Sequence, residues 1–125
     1  MIWIARIGVG LVGIFSSLMA VMAISSPTRV AVALGIITDA PLGLNTIRAD
    51  VGAFFLVSAI ACIAALFRGK RDWLLAPLAL YGFAVLGRFL GIALVGAPEG
   101  IAQAIVIELV CVALLSLGLR YLPGK

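Results

Sequence analysis

Three ionisable residues, Asp50, Arg88 and Glu108, stand in stretches that are otherwise almost free of charge. Asp50 follows Arg48 at the head of a run that continues uncharged to Phe67, and Arg88 is the only charge between Trp73 and Val95. Glu108 lies in a run that opens with Glu99 and also holds Gln103. An ionisable group in an apolar helix is costly unless paired or hydrated, and it is a functional hypothesis by default. A guanidinium cannot shed its proton, so Arg88 requires a carboxylate or an anionic ligand, and Asp50 and Glu108 are the acids in reach. Such a set can pin helix register as an ion pair or triad. It can also form a half-open pocket for a polar headgroup, or relay protons through Glu108 and Asp50.

Other chemistries are excluded by what the chain lacks. It has no His, so a Ser/His or Cys/His nucleophile is ruled out for this chain alone. Its two cysteines, Cys62 and Cys111, each sit in an apolar run and read as small packing residues. Metal, haem and iron–sulfur sites need clustered ligands, and no cofactor is expected. No GxxxxGK[ST] or GxGxxG cradles a phosphate, and Gly8-x-Gly10 lies inside an apolar run.

The elements that position these residues follow from composition. Of 125 residues, 65% are hydrophobic and 11% charged, and the mean hydropathy is +1.31. Soluble domains have about 45–50% apolar and about 25% charged residues, so lipid must be the solvent. The net charge of +4 reflects basic residues between the apolar runs, a topology signal rather than a nucleic-acid footprint.

The runs predict one domain, an all-α bundle of four transmembrane helices over about 2–24, 46–67, 73–95 and 98–119, each long enough for a bilayer core. The first run exceeds the apolar core of a signal peptide and has only Arg6 before it, so it reads as an uncleaved span. Ser26-Pro27 starts a short interfacial helix to Ile36. Asp39 to Gly43 reads as a turn, with Asn45 capping the second span. Pro98 is expected to start the fourth. Gly13 with Ser17, Gly87 with Gly91, and Gly52 are the candidate close-packing positions.

Both termini then share a side with the loop after span two. That side holds Arg6, Arg68, Lys70, Arg71, Arg120 and Lys125, and the other holds Arg29 and Arg48. The positive-inside rule assigns the richer side to the cytoplasm of a bacterial inner membrane. Trp3, Trp73 and Tyr121 fall at the same boundary, as interfacial aromatics do. Counted at 1.5 Å per residue from the non-cytoplasmic ends, Asp50 lies roughly 7 Å deep, Gln103 about 7 Å, Arg88 about 10 Å and Glu108 about 15 Å. Arg48 and Glu99 are at the mouth. Face geometry selects Asp50, Tyr81, Arg88 and Glu108 as the inward set, with Arg48 snorkelling to water.

Asn45-x-x-Arg48-Ala49-Asp50-x-Gly52, Gly87-Arg88-x-x-Gly91 and a Glu in the fourth run are together similar to a family of small bacterial four-helix membrane proteins, a domain of unknown function numbered 4345. The resemblance covers nearly the whole chain and implies four spans, with no established activity. A more distant similarity, in helix layout alone, is to DoxX-like membrane proteins, some of them associated with quinone oxidation; no catalytic residue carries over. Three functional readings follow. The first is a non-catalytic accessory or self-associating membrane component. The second is a lipid, isoprenoid or quinone binding module. The third is a proton-coupled carrier or enzyme using Asp50 and Glu108.

Overall fold

In lipid a backbone must satisfy its own hydrogen bonds, and a run of apolar residues does so by closing into a helix. The computed structural model, which describes residues 1–124, is helical apart from its connecting turns and the end of the chain, with no β-strand among those residues. Lys125, counted among the cations above, lies outside them. Four helices are long and apolar enough to cross a membrane: span 1 (Ile2–Ser25), span 2 (Pro41–Phe67), span 3 (Arg71–Val95) and span 4 (Ile101–Tyr121). The chain has the architecture of a multi-pass membrane protein, with a short helix, Pro27–Ala33, after the first span.

Proline and glycine set the boundaries, and in two places they differ from expectation. The second span starts at Pro41, which takes the first helical position, where its missing N–H costs nothing. Asn45 is therefore inside the helix rather than its cap, and the expected turn ends before Pro41. The fourth span starts at Ile101 rather than Pro98. Gly96 at φ +87° and Gly100 at φ +83° turn the chain between spans 3 and 4, a conformation that side chains rarely adopt. Pro98 and Glu99 fall inside that turn.

The helices form a ring in which span 1 packs along spans 2 and 4, and span 3 packs along span 4. Spans 2 and 3 meet mainly where the first turn of span 3, Arg71–Leu74, lies against span 2. Span 1 buries Ala5, Val9, Val12, Ser16, Ala20 and Ala23. Spacings of three and four put all of them on one face. A Cβ at Gly13 would lie 3.1 Å from the Cys62 Cβ, and one at Gly8 would lie 2.8 Å from a Leu114 methyl, so these glycines let neighbouring helices approach closely. Phe15, Phe54, Phe55 and Tyr81 interlock edge to face at the centre, with centroids 5.0–6.5 Å apart. At the end holding the termini, Arg71 Nη1 donates to the Leu122 carbonyl at 3.1 Å. That bond ties the loop between spans 2 and 3 to the end of span 4.

Candidate functional site

Starting three residues later raises Glu108 toward the far end, the end away from the termini. Glu108 is seven residues from Ile101 and Arg88 is seven from Val95, so both lie about 10 Å from the far ends of their helices. Glu108 is therefore level with Arg88 rather than about 5 Å deeper, as expected. The Arg88 Nε–H is shared between both Glu108 oxygens, at 2.9 Å to Oε1 and 2.8 Å to Oε2. The Glu108 side chain is 12% exposed and that of Arg88 31%. The pair joins spans 3 and 4 and neutralises the charge of each.

The bond uses one edge of the guanidinium. Among the described residues, no acceptor engages the two terminal nitrogens, which carry four of the five N–H donors of Arg88. Among the described residues, no polar side-chain atom is both buried and unpartnered. The terminal nitrogens are therefore open to whatever surrounds the helices.

The other candidates are distributed around this pair. Tyr81, seven residues before Arg88 and on the same stripe, is 2% exposed. Its hydroxyl bonds Ser16 Oγ of span 1 at 2.9 Å, across the middle of the bundle. Arg48 does not snorkel freely: its Nε donates to the Ile24 carbonyl at 3.1 Å, satisfying an orphan acceptor at the end of span 1. Asp50 is exposed, with no hydrogen-bond or ion-pair partner among the described residues. Glu99 and Gln103 are likewise exposed at the far end. The expected inward set thus resolves into Arg88 with Glu108, Tyr81 with Ser16, and Asp50 standing apart.

The glycines and cysteines also separate. Gly13 and Gly52 are buried, and Gly52 faces Ala23 and Ile24 of span 1. Ser17 Oγ bonds the Gly13 carbonyl within its own helix at 2.8 Å. Gly87 and Gly91 have nothing within 4 Å of a Cβ. Cys62 and Cys111 are free thiols buried in the same core cluster.

Two features had no signature in the residue pattern. Ile47–Val51, which holds Arg48 and Asp50, is a turn of π-helix inside span 2; such turns often mark functional sites. The second feature is a cleft. Phe54 of span 2 packs on Tyr81 of span 3 at 5.1 Å. One to two turns further toward the far end, the two backbones part. No Cα of 47–51 comes within 8 Å of span 3 from Leu75 onward, or of span 4. Asp50 of span 2 and Arg88 of span 3 both lie beyond the Phe54–Tyr81 contact, on the stretches where the two helices part. Two outer grooves, about 350 Å³ between spans 3 and 4 and about 520 Å³ between spans 2 and 3, are almost wholly apolar.

Comparison with known proteins gives one result. Residues 4–119 match the family model described as "Domain of unknown function (DUF4345)". No curated protein and no solved structure matches the chain.

Proposed function

The chain belongs to the DUF4345 family, and from its own helix packing we propose that it is a non-catalytic membrane component that works by associating with a second copy through span 3. One observation carries this reading. Span 3 is the least covered of the four, with 11% of its most apolar window buried against 22–44% in the others, and its Gly87/Gly91 stripe is open. Glycine inside a helix costs roughly 1 kcal/mol relative to alanine and gives lipid little to pack against. Two glycines four residues apart are useful where another backbone comes close. Phe83, Leu90 and Leu94, exposed beside them, supply the ridges that flank such a contact.

The test is energy transfer between labelled copies in liposomes at a series of dilutions. Association is expected for the native chain, and Gly87→Leu with Gly91→Leu is expected to weaken it tenfold or more without unfolding the protein. A native chain that stays monomeric at every dilution removes the reading.

Binding of a membrane amphiphile is a second reading. It is favoured by the cleft between spans 2 and 3, beside which the terminal nitrogens of Arg88 lack a protein acceptor. A proton-coupled carrier or enzyme using Asp50 and Glu108 has less in its favour, because Glu108 is held by Arg88 and Asp50 stands apart from both.

A further inference from the structure

Resting on the amphiphile-binding reading, we infer that the cleft between the far halves of spans 2 and 3 holds the headgroup of a zwitterionic aminophospholipid, its phosphate on Arg88 and its ammonium on Asp50. Two unlike groups stand on the two helices that part: Asp50, exposed and without a partner among the described residues, and Arg88, whose terminal nitrogens are open. Phe54 and Tyr81 fix a common level for spans 2 and 3. Asp50 lies four residues above Phe54 and Arg88 seven above Tyr81, or about 6 Å and about 10 Å toward the far end. Both stand over the place where the backbones part. The π-turn lies level with Arg88, yet its Cα atoms stay more than 8 Å from spans 3 and 4.

Charge selects the occupant. Arg88 is already neutralised by Glu108, so a simple anion would add a second net negative charge to a site that has Asp50 unpaired. A simple cation would satisfy Asp50 and leave four N–H donors of Arg88 without an acceptor. A ligand carrying both a phosphodiester and an ammonium meets both needs and changes no net charge. Arginine's terminal nitrogens match phosphate oxygens geometrically. A primary ammonium donates hydrogen bonds to a carboxylate, which a quaternary one cannot do, so the site favours a primary amine. The two acyl chains then lie where the surrounding bilayer already places them.

The experiment uses the full chain in nanodiscs of equal parts phosphatidylethanolamine, phosphatidylcholine and phosphatidylglycerol, followed by native mass spectrometry of the lipid retained. Phosphatidylethanolamine is expected to be retained several-fold over its share. Asp50→Asn, at an exposed position, should abolish its advantage over phosphatidylcholine while lipid is still retained. Arg88→Lys, which keeps the charge opposite Glu108 but loses the terminal fork, should lower retention of all three lipids. Soluble phosphoethanolamine added in excess should not displace the lipid; displacement would mean that the site takes the free head rather than the membrane amphiphile, and would overturn the assignment. Retention of all three lipids in proportion to their share, or an unchanged preference in Asp50→Asn, removes the headgroup inference and leaves amphiphile binding standing. No retained lipid at all removes both.

Discussion

At the scale of residues, the Arg88–Glu108 pair behaves asymmetrically. A carboxyl left alone in an apolar helix can take up a proton, whereas a guanidinium cannot give one up. Glu108→Gln therefore strands a charge in the membrane and is expected to destabilise the bundle by about 3–5 kcal/mol. Arg88→Met should cost clearly less, and the pair Arg88→Met with Glu108→Leu should recover most of the loss, because a buried ion pair is often replaced by apolar groups at little cost. Unfolding in mixed micelles titrated with denaturing detergent measures all three; equal losses for the two single variants would contradict the asymmetry. Tyr81→Phe removes one interhelical hydrogen bond and should cost about 0.6 kcal/mol, the usual size of such bonds in membranes. The need of Arg88 for a carboxylate or an anionic ligand was legible in the sequence, since a guanidinium cannot shed its proton. Which acid it takes was not. The choice depends on where span 4 begins, and two positive-φ glycines moved that start from Pro98 to Ile101.

At the scale of elements, the same residue type does opposite things on different helices. Gly13 lies against Cys62, whereas a Cβ at Gly87 or Gly91 would meet nothing within 4 Å among the described residues. Sequence alone marks all of these as small residues at helical spacing and cannot tell an internal seam from an outward one. The ring order of the helices decides it. Gly13→Leu is expected to cost at least about 1–3 kcal/mol by overpacking, while Gly87→Leu should leave stability within about 0.5 kcal/mol. Detergent titration of the two variants side by side checks this; a comparable loss in both would mean that span 3 is covered as span 1 is. The lengths and apolar character of the four runs made the helices themselves readable. The π-turn was not: one extra residue in a turn shifts the phase of a hydrophobic pattern, and a run that is apolar on nearly all sides has no phase to show the shift. It nevertheless sets the position of Arg48, whose bond to the Ile24 carbonyl joins the far half of span 2 to the far end of span 1.

At the scale of the whole molecule, the placement of charge bears on orientation, although not every cation serves only that purpose. Arg71 holds the Leu122 carbonyl and Arg48 that of Ile24, so one cation at each end has a bonding role of its own. Arg6 lies over Trp3, at 5.7 Å from the ring centroid, and Arg120 over Tyr121 at 5.4 Å. Both pairs belong to the termini end, where a ring that is apolar on its body and polar at its tip sits best at the membrane boundary. With Arg68 and Lys70 also at that end, and Arg29 and Arg48 opposite, the bias favours the termini in the cytoplasm. In that orientation the cleft would open to the outer leaflet. Single cysteines introduced at Glu99 and Arg68 test this, since the native thiols Cys62 and Cys111 are buried and should stay silent. A membrane-impermeant maleimide is expected to label Glu99→Cys on intact cells and Arg68→Cys only after permeabilisation. The reverse pattern would turn the molecule over, and the leaflet that supplies the headgroup to Arg88 and Asp50 would change with it.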